Sequence, residues 1–324
     1  MAQVFLVVSA FDQKYWLGEL IGHVLDAFDH VQTDVVLKRP RRDYDRRGVV
    51  HHLRRVLARR PDYAGGVIMP TNPDHMRVDL AEFCAEFAQP VVFVDLEPFP
   101  TEADYPPGTA FIGYSPGAIG EAAARWLLGT LTRRDPFVLV IASTEHPGRQ
   151  EVFVATLRAA LPESTVLVDD TCAFHRAAAL NAVRARLLGG HRPDAIFCTN
   201  DEMALGAVDA LRWEGVTDTV VVGVDGIVEA CAQIDTGTGP LRATVCQDGY
   251  EIAEGAVELL HRLRAAKPVP IRTFLPPRVH ANRTRESSRV PHGTSTVHNE
   301  THNSAAAASL GSANNVWIVN HSAE

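Results

Sequence analysis

The sequence predicts an α/β protein made of two lobes, each built around its own parallel sheet. Short runs rich in Val, Ile and Phe alternate with amphipathic segments of about 10 to 15 residues, the order that is typical of right-handed β-α-β units. The strand runs are apolar throughout, as expected when helices cover both faces of a parallel sheet. The alternation occurs in two successive series, which indicates two doubly wound lobes.

The first series occupies the N-terminal part of the chain. Its predicted strands are VFLVVSA, TDVVLKR, AGGVIMP and PVVFVDL. The helices predicted between them cover residues 18–28, 46–59 and 74–87. The second of these lies in a strongly basic stretch, residues 38–60, which we interpret as a solvated helix face, with a docking surface as the alternative.

The second series follows directly. Its predicted strands are TAFIGYS, FVLVIAS, STVLVDD, DAIFCTN and TVVVGVD. The helices predicted between them cover residues 117–131, 149–161, 176–188 and 202–214. Late in the chain, the strand RATVCQ, a helix over 250–266 and the strand IRTFLPP return to the pattern. Such late elements imply that the chain crosses between the lobes more than once.

Composition limits the classes of function. The 324 residues are 46% hydrophobic and 22% charged, values that are ordinary for a soluble globular protein. A net charge of −8 favours no nucleic-acid partner, and the absence of any long apolar run predicts no membrane insertion. The five cysteines are odd in number and form no CxxC pair, so we expect neither a disulfide framework nor a metal site, and no cofactor.

The two ends of the chain carry separate information, the start about the location of the protein and the end about a tail. The start, MAQVFLVVSAF, enters a strand without a basic segment or a small-residue cleavage site. As written, this predicts a cytoplasmic protein, and a periplasmic one if a signal peptide was removed. Residues 282–324 are polar and low in complexity, and we interpret them as a disordered tail whose VWIV cluster is either a frayed end or a docking segment.

Polar and aromatic residues follow nearly every predicted strand. Ligands of open parallel sheets bind beyond the carboxyl ends of the strands, so these residues are the candidates for a site. In the first series they are Ser9, Asp12, Gln13, Tyr15, Trp16, Thr71, Asn72 and Asp95. In the second series they are Arg149, Phe174, Asn200, Asp201, Asp225 and Gln247.

This set of side chains suits a sugar-like or polyol-like small molecule. Asp, Asn, Gln and Arg present planar arrays of donors and acceptors to hydroxyl groups, and aromatic rings present flat faces to C–H groups. Each residue also has a simpler interpretation. Asp201 could cap the helix that follows it, Asp225 could be a turn residue, and Arg149 could start a surface helix. Tyr15 and Trp16 could be ordinary packing.

An enzyme is the less favoured class. The sequence contains no HExxH zinc motif and no P-loop, and its glycine-containing DTGTGP follows a helix where a phosphate-binding loop would follow a strand. We therefore predict a binding protein without catalytic residues.

Five segments together resemble a known family. They are FCTNDEMALGAVDALR, VVVGVDGIVEA, LRATVCQDGYEIAEGAVELL, VVSAFDQKYWLGELIGHV and GRQEVFVATLRAAL. Over about residues 3–279, they resemble the type I periplasmic binding proteins of the ribose/galactose class and the LacI-type regulator cores that share their fold. Val224 and Val152 stand where the family usually has Phe and Gly.

The resemblance implies a fold and a set of ligand contacts. It implies two lobes joined by a three-strand hinge, with residues 1–113 and 248–270 in the N-terminal lobe and 114–247 and 271–281 in the C-terminal lobe. The ligand-binding positions that it assigns are Gln13, Tyr15, Trp16, Asp95, Arg149, Phe174, Asn200, Asp225 and Gln247. Leu96, where ribose binders often have Arg, and Pro70, where a polar contact is often found, leave the ligand unnamed.

The resemblance also implies a function. We expect a protein that closes on a small molecule in an interlobe cleft as the substrate-binding component of an ABC importer, with an ABC permease as partner. The alternative is a cytosolic or periplasmic sensor that passes lobe closure to a kinase, a cyclase or another regulatory protein. A LacI-type repressor is disfavoured, because no helix-turn-helix precedes Val4 and the net charge is negative.

Overall fold

The structure is a computed structural model that describes residues 3–9, 15–42 and 45–282. Gln13 and the predicted tail beyond Asn282 lie outside these residues. The strands, in chain order, are β1 (Gln3–Val7), β2 (Val35–Lys38), β3 (Tyr63–Ile68), β4 (Val91–Val94), β5 (Thr109–Tyr114), β6 (Phe137–Ile141), β7 (Thr165–Asp169), β8 (Ala195–Cys198), β9 (Val220–Asp225), β10 (Leu241–Cys246), β11 (Arg272–Leu275) and β12 (Arg278–Ala281).

The α-helices alternate with these strands. They are α1 (Tyr15–His30), α2 (Arg46–Leu57), α3 (Pro73–Phe87), α4 (Pro116–Thr130), α5 (Pro147–Ala160), α6 (Arg176–Leu188), α7 (Asp201–Trp213), α8 (Val228–Thr236) and α9 (Gly249–Arg264). Those predicted from the sequence match to within a few residues at each end. Along the described segments, the structure contains no helix that is both long enough and apolar enough to cross a bilayer.

The strands form two six-stranded sheets, which confirms the predicted two-lobed α/β fold. The first sheet has the order β11-β5-β4-β3-β1-β2 and is parallel throughout. The second has the order β12-β10-β9-β8-β6-β7 and is parallel except for β12, which runs antiparallel to β10. Most central strands are buried along their whole length, as their unbroken apolar sequences require.

The chain passes between the two sheets three times. It leaves the first sheet after β5, returns after β10 through α9, which packs on β3, β4 and β5, and crosses again between β11 and β12. The first two crossings are linked, because the backbone N–H of Asp248 donates to the Tyr114 hydroxyl at 2.9 Å. These crossings form the three-strand hinge.

One strand differs from its expected grouping. The sequence places 271–281 with the second lobe, but β11 pairs with β5 in the first sheet, and only β12 joins the second. The strand β5 opens the second series in sequence, but it pairs in the first sheet, the lobe to which the bounds 1–113 assign nearly all of it. The apolar pattern of a strand does not specify which sheet edge it meets, whereas the hydrogen-bonded register does.

Candidate functional site

A pocket lies between the two lobes at the carboxyl ends of the strands. Its empty space, counted together with the opening to solvent, is about 580 Å³. The residues that line it are Ser9, Tyr15, Trp16, Leu17, Pro70, Thr71, Asp95, Leu96, Glu145, His146, Arg149, Phe174, Asn200, Glu202 and Asp225.

Most of the predicted site residues meet in this pocket. Those that line it are Tyr15, Trp16, Asp95, Arg149, Phe174, Asn200 and Asp225. Gln247 does not line it but lies directly behind, bonded to two of these residues. Gln13 is outside the described residues. Choosing the residues that follow each predicted strand therefore located the pocket, because parallel strands bring their carboxyl ends to one edge of the sheet.

Arg149 lies in the first turn of α5 and is buried, so it is not the surface residue that the simpler interpretation expects. Its Nη1 donates to the Thr199 carbonyl at 2.6 Å, and its Nη2 donates to Gln247 Oε1 at 3.2 Å. Nη1 also lies 3.7 Å from Asp225 Oδ1. The remaining donor, Nε, is buried and has no hydrogen-bond partner within the described chain.

Asp225 ends β9 in a strained backbone conformation, with φ at +115°, which side-chain-bearing residues rarely adopt. Its Oδ1 accepts a hydrogen bond from Gln247 Nε2 at 2.8 Å. Burial raises the pKa of this carboxyl to about 7, although the nearby Arg149 guanidinium opposes the rise. Gln247 and Arg149 therefore hold the Asp225 side chain in the pocket. A residue that only formed a turn would not need these two contacts.

Asn200 and Asp201 have different partners although they are adjacent. Asn200 is the residue that caps α7, since its Oδ1 accepts from the Met203 N–H at 2.9 Å. Asp201 points away from the pocket and accepts from the N–H groups of Gly226 and Ile227, at 2.8 and 2.9 Å, and from Thr244 Oγ1. The interpretation of Asp201 as the cap of its own helix is wrong; it holds the turn that leads from β9 into α8.

Aromatic rings stand on both sides of the pocket. Trp16 comes from the first lobe, and its Nε1 donates to the Gln247 carbonyl at 2.9 Å, where the chain crosses between lobes. Tyr15 is half exposed at the opening. Phe174 comes from the second lobe in a turn with φ at +64°, and its ring lies 5.7 Å from that of His146.

Two acidic residues of the site were missed by the sequence interpretation. Glu145 follows β6, and its Oε2 accepts from the Asn72 N–H, in the other lobe, at 3.4 Å. Glu202 lies in the first turn of α7 and faces the backbone amide of Tyr15, also in the other lobe. Burial is the main reason that the pKa of Glu202 is raised. Both follow predicted strands, so the rule that located Arg149 and Asn200 could have found them.

A serine motif that the sequence interpretation passed over proves to be structural. The stretch GYSPG (Gly113–Gly117) has the spacing of the G-x-S-x-G motif of hydrolases. Here Ser115 is the cap of α4, and its Oγ accepts from the Ala118 N–H at 3.3 Å. The motif marks the first crossing between the lobes. Within the described residues, His, Cys, Asp and Glu side chains form no group that could hold a metal ion.

The fold and the pocket define a class: α/β proteins of two lobes with a cleft between them and three crossings as a hinge. The sequence profile of the periplasmic binding protein domain matches residues 29–268. The chain belongs to this family of binding proteins, which agrees with the prediction of a binding protein and not an enzyme.

Curated relatives match mostly over short stretches. The ribose import binding protein of Escherichia coli (strain K12) is 34% identical over 104 residues, which cover 32% of this chain and 34% of the relative. The matched stretch thus spans about a third of the length of the ribose-binding relatives. A putative rhizopine-binding protein of Rhizobium meliloti is 22% identical over 216 residues, 65% of this chain and 69% of the relative.

Solved structures match over nearly the whole described chain. An ABC transporter periplasmic solute-binding protein from Actinobacillus succinogenes 130z with bound D-allose superposes with a TM-score of 0.77 at 16% identity, covering 86% of this chain and 96% of that one. A Caulobacter myo-inositol binding protein bound to myo-inositol has a TM-score of 0.74 at 22% identity, covering 85% and 92%. At these identities the likeness shows a shared fold.

Proposed function

We propose that the protein binds a hydroxylated small molecule, of the sugar or polyol class, in the interlobe pocket and serves as the substrate-binding component of an ABC importer. The observation that carries this proposal is the pocket itself, which joins aromatic faces from both lobes to buried polar atoms. The relatives and structural neighbours support it, because they include import and binding proteins for ribose, allose and inositol.

Polar atoms in the pocket wall favour a ligand with hydroxyl groups. Arg149 Nε and Thr71 Oγ1 are buried, and neither has a hydrogen-bond partner in the described part of the chain. A buried polar group that stays unpaired costs about 1–3 kcal/mol. Ligand hydroxyls would pair with both atoms, and the rings of Tyr15, Trp16 and Phe174 would cover the C–H faces of the ligand.

The arrangement of these groups also supports closure on the ligand. Trp16 and Asp95 belong to the first lobe, whereas Arg149, Asn200 and Asp225 belong to the second. A ligand that contacts both sets stabilises the closed form over the open form. A shift from 1:99 to 99:1 needs about 5.5 kcal/mol of differential binding. A few hydrogen bonds to charged groups, each worth about 1.5–3 kcal/mol, are enough.

The proposal also covers the cellular location of the protein and the protein with which it interacts. We infer a periplasmic location and an ABC permease as the partner that receives the closed form. The support is membership of the periplasmic binding protein family and the similarity to a ribose import binding protein and to an ABC transporter periplasmic solute-binding protein.

Isothermal titration against a panel of pentoses, hexoses and polyols tests the proposal. We expect the wild type to bind at least one member, and Trp16→Ala to weaken that binding about tenfold or more, because a stacked ring is lost. Trp213→Ala is the matched control, since Trp213 is exposed on α7 and does not line the pocket. Absence of binding to the whole panel, or equal binding by Trp16→Ala, would refute the proposal.

A further inference from the structure

Two of the five cysteines lie beside each other at the turn that follows β9. Cys231 is in the first turn of α8, and its thiol donates to the Gly226 carbonyl at 3.4 Å. Cys246 ends β10, and a Cβ built on Gly226 would lie 2.7 Å from its Sγ. Gly226 therefore packs against both sulfur atoms. The two sulfurs are also within hydrogen-bonding distance of each other.

The position of these two thiols suits a disulfide bond. Such a bond places its sulfurs about 2.05 Å apart and its Cβ atoms about 3.5–4.5 Å apart. Thiols at hydrogen-bonding distance approach this geometry through small rotations of their side chains. The backbones are already adjacent, because α8 packs on β10. The odd number of cysteines excludes a framework that pairs all five, but it does not exclude one pair.

Both thiols of the pair are within reach of an oxidant. Cys231 and Cys246 are partly exposed to solvent. Cys246 also lines a cavity beside the hinge, together with Gln247 and Asp248. The Cys231 thiol, at hydrogen-bonding distance, lowers the pKa of Cys246, although burial opposes this effect. Because the thiolate is the reactive form of cysteine, we expect Cys246 to react first.

The other three cysteines are not suited to this reaction. Cys84, Cys172 and Cys198 are buried among apolar side chains of the two lobes. Burial raises the pKa of the Cys84 thiol to about 12 and that of Cys172 to about 11, and it raises the pKa of Cys198 as well. These thiols stay protonated and shielded from solvent, so reaction is expected at the exposed pair.

We propose that Cys231 and Cys246 form a disulfide bond that ties α8 to the end of β10 and holds the turn that follows Asp225. This inference goes beyond the proposed function, because the bond can form whether or not the interlobe pocket binds a ligand. The periplasm, the location inferred above, is an oxidising compartment in which such bonds persist.

The reaction balances with a disulfide compound as the oxidant. The Cys246 thiolate attacks one sulfur of that compound, whose S–S bond breaks and releases one thiolate. The Cys231 thiol then gives up its proton and attacks the Cys246 sulfur of the mixed disulfide, which releases the second thiolate. The two cysteines lose two electrons and two protons in all, and the oxidant takes them up to become two thiols.

The bond acts next to a residue of the pocket. Cys246 is the partner of Asp225 in the pairing of β10 with β9, and Asp225 lines the pocket. The turn after Asp225 is held by Asp201, which accepts from the N–H groups of Gly226 and Ile227. A covalent bond from Cys231 to Cys246 would anchor the far side of this turn as well, so the turn should open less often.

Peptide mapping of the full chain tests for the bond. Arg242 lies between the two cysteines, so trypsin separates Cys231, in 213–242, from Cys246, in 243–262. The folded protein is oxidised with glutathione disulfide, its free thiols are alkylated, and it is digested without reductant. We expect these two peptides to be joined, and to separate when dithiothreitol is added. If both cysteines are recovered alkylated, or either is joined to a third cysteine, the inference is overturned.

Single variants test the order of attack. Cys231→Ala should stop at a mixed disulfide between Cys246 and glutathione, whereas Cys246→Ala should form little adduct. Cys84→Ala is the matched control, because Cys84 is buried in the first lobe, and it should give the same joined peptides as the wild type. Adducts that form on Cys231 in preference to Cys246 would overturn the proposed order, and loss of the joined peptides in Cys84→Ala would overturn the assigned pair.

Hydrogen exchange measures the effect of the bond on the turn. In the oxidised protein, the amides of Gly226 and Ile227 should exchange about threefold or more slowly than in the reduced protein. Cys246→Ala should exchange equally in oxidising and reducing buffers. Equal exchange in the oxidised and reduced wild type would overturn the role of the bond in holding the turn. These measurements use no ligand, so their failure leaves the proposed function standing.

Discussion

Adjacent residues of this site act on different parts of the fold. Asn200 ends its strand, caps α7 and lines the pocket, whereas Asp201 faces the opposite way and binds the turn after β9. Because that turn contains Asp225, Asp201 positions a pocket residue without lining the pocket itself. Burial and the nearby Asp225 raise the pKa of Asp201 well above its usual range.

Replacing Asp201 tests this positioning at the scale of one residue. Asp201→Ala leaves the Ile227 N–H and the Thr244 hydroxyl without their acceptor, whereas the Gly226 N–H keeps Thr244 Oγ1 at 3.2 Å. Each buried donor left unpaired costs about 1–3 kcal/mol, so we expect a loss of about 2 kcal/mol or more in the free energy of unfolding. Urea denaturation measures it. Asp218→Ala, at an exposed loop position, should change stability by less than about 0.5 kcal/mol. Equal stability of the two variants would contradict the assigned role.

The pKa of Asp225, raised to about 7 by burial, predicts a pH dependence of ligand binding. The ionised carboxylate accepts stronger hydrogen bonds from ligand groups than the protonated form. Affinity should therefore fall as the pH is lowered from about 8 to 6, by up to about tenfold per unit below the pKa. Titration calorimetry across this pH range measures the affinity. The control variant Asp225→Asn should give a flatter profile of affinity against pH. A wild-type profile as flat as that of the variant would count against Asp225 as a ligand contact.

The raised pKa of Asp225 predicts that the stability of the fold changes with pH in the opposite direction to ligand affinity. The folded protein keeps a proton on Asp225 that the unfolded chain releases above a pKa of about 3.9. This group therefore stabilises the fold fully below about pH 4, and its contribution is lost as the pH rises to about 7. In the absence of ligand, Asp225→Asn should be less sensitive to pH between about 5 and 8 in urea denaturation than the wild type.

At the scale of elements, the close contact between α4 and α5 holds Arg149 in place. A Cβ built on Gly120 of α4 would lie 2.1 Å from the backbone carbonyl oxygen of Arg149, which is impossible without separating the helices. The absence of a side chain at Gly120 thus allows α5 to approach. Because Arg149 lies in the first turn of α5, helix packing and site geometry are connected at this contact.

Two glycines of α4 provide a matched comparison. Gly120→Ala should destabilise the protein by about 1–3 kcal/mol through overpacking and should weaken ligand binding by shifting Arg149. Gly129→Ala has no atom within 4 Å of the added Cβ, and it should raise helix propensity and stabilise by up to about 1 kcal/mol. Thermal unfolding and calorimetry measure both effects. If Gly120→Ala binds ligand as tightly as Gly129→Ala, the contact does not position Arg149.

At the scale of the whole molecule, polar bonds between described residues of the two lobes lie in the cleft. They include the bond of the Asn72 N–H to Glu145, that of the Tyr15 N–H to Glu202 and that of Trp16 Nε1 to the Gln247 carbonyl. A ligand that adds contacts to both lobes is expected to shift the balance toward the closed form. Small-angle X-ray scattering should show a smaller radius of gyration when saturating ligand is added to the wild type.

Trp16→Ala provides the comparison for closure. Because this variant removes both a pocket wall and the bond to Gln247, it should compact less at the same degree of saturation. Equal compaction of both proteins would show that neither the Trp16 ring nor its bond to Gln247 controls closure. No compaction in the wild type would refute ligand-driven closure.

The sequence by itself determined the two-lobed α/β fold, since apolar strands and amphipathic helices carry their periodicity locally. It also located the pocket, because residues such as Arg149, Asn200 and Asp225 follow strands whose carboxyl ends must share one edge. Only the tertiary structure decided the partners of these residues. It placed β11 in the first sheet, made Asn200 and not Asp201 the cap of α7, and brought Glu145 and Glu202 into the cleft. The physical reason is that the direction of a side chain and the edge that a strand joins depend on contacts between residues far apart in the chain.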